Sequence, residues 1–281
     1  MRSRCLSFCA FASLLPASCA APQISNTPAA PRTIAITIDD LPVHAPFPPG
    51  TTPTQVNEQL ISALRNGGVK TVTAFVNGHS LETSPETEQV LEEWRRAGAI
   101  LGNHGWSHKN LNDLSAADYE REVLLNEPLL ERLGGGTDWH WYRFPYLAEG
   151  EDAAKRAEIR SFLAQHGYRI AAVTMSFSDW QWTAPYARCA TAGNTRAIAE
   201  LERMYLEAAT ADADYTRMIA VKLYGHDIPH VVLLHVSAMT ARMMPRLLDL
   251  YRRLGFHFIS LGEAEADPSY AEDIDPRLAP R

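Results

Sequence analysis

Two carboxylates and three imidazoles fall in three short segments far apart in the chain: Asp39-Asp40, His104-Gly105-Trp106-Ser107-His108 and Leu233-Leu234-His235. Together they supply the parts for metal-assisted hydrolysis of an amide. An amide resists water because its carbonyl is a poor electrophile and its amine leaves badly without a proton. A bound Zn²⁺ answers the first defect by polarising the carbonyl and bringing its water toward a pKa of about 7, where a carboxylate can take the proton. An imidazole, with an ordinary pKa of about 6.5, can answer the second by protonating the departing nitrogen, a role open to His235. His104 and His108 stand four apart, which brings both rings to one face of a helix or one compact turn. With a carboxylate they form the His₂-Asp set of catalytic zinc, leaving a position open for water. The plainer reading of His235 is a buried imidazole bonded to backbone.

Something must carry these side chains to one place, and each segment follows an apolar run. Residues 33–38 are rich in β-branched side chains and read as a buried strand ending at Asp39-Asp40. Residues 99–103 read as a second strand running into His104, and 230–234 as a third running into His235. Catalytic groups collect at the ends of buried parallel strands, so three strands would deliver acids and imidazoles to one rim. Successive strand residues point to opposite faces, so Asp39 and Asp40 would diverge unless a kink aims both at one centre, one on metal and one as base. Arg143, within Trp141-Tyr142-Arg143-Phe144-Pro145-Tyr146, is a charge in an aromatic strand and needs a partner. Asp39 is the natural one; the plainer alternative is a surface arginine snorkelling from an edge strand. Asp179 in Ser178-Asp179-Trp180 either holds His235 protonated or caps a turn.

The rest of the chain alternates in the same way. Helices are predicted over 54–66, 85–97, 115–133, 151–166 and 238–254, with two further helical stretches over 194–209 and 215–224. Strands are predicted over 71–76, 139–146, 169–175 and 257–261. Such alternation is the signature of a mostly parallel sheet covered by helices, and 281 residues with 46% hydrophobic content suit one α/β domain.

Arg2 and Arg4, the apolar stretch 5–15 and the small residues 17–21 have the three parts of a secretory signal peptide. The expectation is therefore an exported protein, periplasmic or secreted, with a signal over 1–20, a Pro- and Ala-rich spacer over 21–32, a domain over 33–265 and a tail over 266–281. Cleavage near Ala20 would free the chain, whereas lipidation at Cys19 would tether it. No stretch offers the roughly twenty apolar residues that a membrane span needs. Three of the four cysteines (Cys5, Cys9 and Cys19) fall in the leader, leaving Cys189 as a structural thiol with no disulfide partner. The net charge is −7, and loss of Arg2 and Arg4 leaves 24 basic against 33 acidic residues, or −9. That balance and the absence of a basic run argue against a nucleic-acid partner and suit a neutral or cationic substrate. No protein partner is predicted.

Five segments in order, Thr37-Ile38-Asp39-Asp40, Asn103-His104-Gly105-Trp106-Ser107-His108, Arg143-Phe144-Pro145-Tyr146, Asp179-Trp180 and Leu233-Leu234-His235, resemble the five motifs of the polysaccharide deacetylases, the NodB-homology group of carbohydrate esterases. The resemblance spans roughly residues 33–262. It implies a distorted (β/α) barrel that removes N-acetyl groups from N-acetylglucosamine-type sugars with a divalent metal, usually zinc. By the same resemblance Asp39 would be general base, Asp40, His104 and His108 metal ligands, and His235 general acid. Arg143 would position Asp39, Asp179 would tune His235, the backbone N–H of Tyr146 would help hold the oxyanion, and Trp180 with Leu233 would shape the acetyl pocket. Leu147 stands where the third motif usually has Gly, Ser176 where the fourth usually has an acid, and 182–225 is longer than usual. These departures imply an altered sugar groove. The competing readings are a hydrolase of a small non-sugar amide or ester on the same metal, and a catalytically silent sugar-binding module.

Overall fold

A computed structural model describes residues 31–134 and 136–279. The leader and nearly all of the spacer, with Cys5, Cys9 and Cys19, lie outside them. Strands and helices follow in the order β1 (Arg32–Leu41), α1 (Pro53–Asn66), β2 (Thr73–Val76), α2 (Ser80–Thr83), α3 (Glu88–Arg96), β3 (Ile100–Asn103), α4 (Ala116–Gly134), β4 (Trp141–Tyr142), α5 (Ala153–Gln165), β5 (Arg169–Ile170), α6 (Thr183–Thr191), α7 (Thr195–Tyr224), β6 (His230–His235), α8 (Ala238–Arg253), β7 (Phe256–Ile259), α9 (Leu261–Ala264) and α10 (Ala271–Ile274).

Every ladder is parallel, in the order β5-β4-β3-β2-β1-β6, with β7 also on β1. β1 is the hub. Its residues 34–39 pair with β6, residues 32–35 with β7 and residues 37–41 with β2. A strand has two edges, so β6 takes one of them while β7 and β2 share the other, below and above.

The sheet then closes on itself. After β5 the chain runs on to Met175, which bridges Val232 of β6 and accepts the Leu233 N–H. Residues 169–175 thereby join β5, one outer strand, to β6, the other, and the result is a single-domain distorted (β/α) barrel. Small residues make room inside it: a Cβ on Gly102 would lie 2.7 Å from the Phe75 ring. Ile34, Ile36 and Ile38 of β1, with Val232 and Leu234 of β6, point outward into the main core beneath the helices. α8 covers that face with Met239, Met243, Met244, Leu247 and Tyr251, all buried, and Ser237 caps its N-terminus by accepting the Thr240 N–H. Among the described residues no helix is long and apolar enough to cross a membrane.

Four expected elements differ. The stretches 194–209 and 215–224 are one helix, α7, of 30 residues, preceded by the unexpected α6. Its buried face is Tyr205, Ala209, Ala213 and Ala220, of which the small alanines carry little hydrophobic signal, and no Gly or Pro interrupts 210–214. The strand predicted over 139–146 shrinks to Trp141–Tyr142. Pro145 has no N–H for a ladder, and Tyr146 and Leu147 turn left-handed at φ 61° and 55°. Of 169–175, only Arg169–Ile170 and the Met175 bridge pair with neighbours.

Candidate active site

Asp39 continues the inward row of β1. Ala35 packs in the inner cluster, Thr37 accepts a hydrogen bond from Arg143 Nη2 at 3.3 Å, and Asp39 lies level with His235 across the β1–β6 ladder. Strict alternation would send Asp40 outward with Ile38. Instead Asp40 takes φ 67°, and the β1–β2 register shifts between Ile38 and Leu41. Aspartate tolerates this left-handed region better than most residues. The kink swings its carboxylate back over the barrel mouth.

His104 leaves β3 into a compact turn. Asn77 on the loop after β2 donates to the carbonyls of His104 and Gly105 at 2.7 and 3.0 Å. Asn103 accepts the Gly105 N–H at 2.9 Å, and Glu122 of α4 accepts both the backbone N–H and the hydroxyl of Ser107 at 2.7 Å. His108 closes the turn at φ 53°. Nδ1–H of His104 donates to the Arg143 carbonyl at 2.7 Å, which leaves Nε2 as a lone-pair donor facing the cavity.

Asp40 Oδ1 then lies 3.5 Å from His104 Nε2 and 3.3 Å from His108 Nε2. One ligand atom from each residue falls within 4.8 Å of the others. Tetrahedral zinc with bonds near 2.0–2.1 Å sets its ligands roughly 3.3 Å apart, so the trio fits such an ion. Asp40 Oδ1 is also buried without a hydrogen-bond partner, a costly condition that a cation would relieve. Burial pushes the Asp40 carboxyl up, but the His104 and His44 imidazoles outweigh it and hold the group well below the usual carboxylate range. Burial takes His108 down to about 4, against the pull of Asp40. A deprotonated carboxylate and a neutral imidazole are the forms that bind metal.

Two further pairs flank the trio. Arg143 is 1% exposed, which removes the surface-arginine reading. It stacks over Phe75 at 4.6 Å, donates Nε–H to the Ala171 carbonyl at 2.9 Å and sets Nη1 3.4 Å from both oxygens of Asp39. On the opposite side, His235 Nδ1–H donates to Asp179 Oδ1 at 2.7 Å. Oδ2 of Asp179 accepts the His235 backbone N–H and the Thr240 hydroxyl, each at 2.8 Å. Burial lowers the His235 pKa, but the fully buried Asp179 carboxylate, helped by Asp40 and Asp39, lifts it to about 9. This imidazole is a cation at neutral pH.

Asp39, Asp40, His104, His108, Tyr146, Leu147, Trp180, Leu233 and His235 line one cavity of about 290 Å³, together with His44 and Ser176. Arg143 and Asp179 stand behind it and hold Asp39 and His235. Trp180 and Leu147, half exposed, form its walls. The 182–225 segment, expected to alter the groove, lends it no lining residue. It acts from behind instead: Tyr205 of α7 meets Phe177 edge-on, and Asp212 accepts the backbone N–H of Ser176. His44 and Thr240 are site residues that spacing alone missed. His44 is visible in Asp40-Leu41-Pro42-Val43-His44 only as one more histidine four residues from an acid.

The polysaccharide deacetylase family model matches residues 26–171, more than half of the chain. A chitin deacetylase of Colletotrichum lindemuthianum is 23% identical over 245 residues, 84% of this chain and 81% of that protein. A peptidoglycan-N-acetylglucosamine deacetylase of Bacillus cereus is 28% identical over 130 residues, 46% of this chain and 42% of that protein. Such matches span less than half of some curated relatives, 38% in another case. Among solved structures, a CE4 family pseudoenzyme from Bacillus anthracis has the same fold, with a TM-score of 0.60 at 14% identity over 84% of this chain and 66% of that one.

Proposed function

Since the chain belongs to the polysaccharide deacetylase family, we propose that it is an exported, metal-dependent N-deacetylase of N-acetylglucosamine-type sugars in a chitin-like or peptidoglycan polymer. The observation that carries this reading is the convergence of an Arg-held carboxylate, a His₂-Asp trio and an Asp-held imidazolium on one cavity. Asp40, His104 and His108 would hold a divalent cation, zinc fitting their donor set best. That cation supplies Lewis-acid polarisation of the acetamide carbonyl and a lowered pKa for the attacking water.

The chain's own groups do the rest. Asp39 is the base: its carboxylate, oriented by Arg143, takes a proton from the water. His235 is the acid: its proton, retained to about pH 9 by Asp179, goes to the sugar nitrogen as the C–N bond breaks, giving acetate and a free amine. The backbone N–H of Tyr146 steadies the oxyanion, a contribution of roughly 3 kcal/mol when such a donor is well placed. Trp180 and Leu233 border the methyl group of the acetyl. A catalytically silent sugar binder would need neither Asp39 nor His235, and this chain has both with their supporting partners.

The small volume of the cavity, about 290 Å³ and walled on one side by Leu147, favours as a second reading a short acetamide or ester substrate. Acetate release should therefore be measured from N-acetylglucosamine oligomers, peptidoglycan and small acetamides in parallel. Sugar-dependent release that a chelator abolishes and zinc restores is the expected result. Release only from the small amides would favour the second reading, and full activity of both Asp39→Asn and His235→Ala would discard the mechanism.

A further inference from the structure

His44 has no part in the chemistry just described, yet it makes a close contact at the centre of the site. Its Nδ1 lies 2.6 Å from Asp40 Oδ2, and its ring sits 5.1 Å from that of His235. A carboxylate that ligates a cation is deprotonated and can only accept, so Nδ1 carries the proton and donates it across this contact. The two oxygens of Asp40 thus have divided roles: Oδ2 is occupied by His44, while Oδ1 is bare and faces the imidazoles of His104 and His108. The backbone brings His44 there. Asp40 turns left-handed, the Val43 N–H closes a turn onto the Asp40 carbonyl at 3.0 Å, and the next side chain folds over the carboxylate.

We propose that His44 is a positioning residue that fixes the Asp40 carboxylate for one-oxygen coordination of the divalent cation. The inference rests on the reading of Asp40, His104 and His108 as the metal-binding trio. A carboxylate with both oxygens free can turn about its terminal torsion or engage a cation through both oxygens. A hydrogen bond to Oδ2 removes that freedom before the metal arrives. Hydrogen-bonded partners of metal ligands typically contribute 10–100-fold in metal affinity.

The test is the zinc dissociation constant of the full-length protein, measured by competition with a chromophoric chelator, for four forms: wild type, His44→Ala, His44→Phe and His44→Asn. His44→Ala and His44→Phe lose the donor, the second while keeping a planar ring, and both should bind zinc about 10–100-fold more weakly. His44→Asn sets an amide N–H near the position of Nδ1 and should recover most of the affinity. Unfolding midpoints of the metal-free proteins identify a variant that fails to fold, in which case the remaining donor-free variant carries the comparison with His44→Asn. Wild-type affinity in His44→Phe or His44→Ala, or His44→Asn binding no better than they do, would overturn the inference and leave the metal site intact. Absence of zinc binding by the wild type would overturn the inference and the metal-dependent reading together.

Discussion

At Asp40 a single backbone angle, φ 67°, turns a residue that alternation would aim away from the barrel mouth into a partner of two histidines. Asp39, one residue earlier, keeps strand geometry and meets Arg143 inside the barrel. The different placement of the two neighbouring acids, and with it the division of labour proposed for them, therefore resides in one dihedral. Replacing the proton carriers should leave the metal trio undisturbed: Asp39→Asn and His235→Ala are each expected to lower kcat about 10²–10⁴-fold with bound zinc unchanged by elemental analysis. The His235 pKa, raised from 6.5 to about 9, sets the sign of the pH effect. The acid is active while protonated, so kcat/KM should hold through neutrality and fall as the pH rises through about 9. Asp179→Asn removes the charge responsible and should bring that alkaline limb down toward the ordinary histidine range, read from a pH–rate profile. Leu147 separates the catalytic cavity from an adjoining cleft lined by Glu149, Arg156 and Val173. Its φ of 55° suits glycine, so Leu147→Gly should join the two spaces and raise kcat/KM for acetylated oligomers several-fold relative to the monomer.

The elements matter through what they brace. α7 buries a narrow face of Tyr205, Ala209, Ala213 and Ala220, and Tyr205 meets Phe177 of 176–179, the segment that delivers Asp179. Residues 169–175 have the opposite character, with little regular pairing but the task of closing the barrel and accepting Arg143 at the Ala171 carbonyl. Glu265, following α9, pins that run by accepting the Ala172 N–H at 2.7 Å while its Oε2 is buried without a partner. Burial pushes its carboxyl up to about 8, against the pull of that hydrogen bond and of Arg143. A folded-state value above the unfolded one means that this group's favourable contribution is complete below about pH 4.5 and is lost as the pH climbs through about 8. Glu265→Gln keeps the acceptor and cannot ionise. Calorimetry should accordingly find its melting temperature several degrees above that of the wild type at pH 9 and level with it, or below, at pH 4.5.

On the scale of the whole molecule, a cation held by Asp40, His104 and His108 would tie β1 to the turn after β3. Such a cation would bind the folded chain far better than the unfolded one, so zinc at 100 times its dissociation constant should stabilise the protein by about 2.7 kcal/mol, and a chelator should lower the melting temperature while abolishing acetate release. Buried Arg160 ties the C-terminal segment to the barrel by donating to the carbonyls of Leu278, Glu272, Asp273 and Asp275. Short-range physics made much of this legible in the amino-acid order. Apolar runs ending in Asp39-Asp40, His104 and His235 marked three strands and their shared rim, and the strand–helix alternation marked the parallel sheet. Alternation even required a kink at Asp39-Asp40, though not its form. Other features depend on where distant backbone arrives. His44 reaches Asp40 only because the turn at residues 40–43 folds it back, Thr240 reaches Asp179 across 61 positions, and α7 runs unbroken through 210–214, between the two helical stretches that the sequence marks. Residue types and spacing thus determined the parts and the edge at which they gather, since periodicity acts within a few residues. Which oxygen meets which nitrogen was decided by the tertiary structure alone, because ångström-scale contacts follow from register, barrel closure and the packing of elements far apart in the chain.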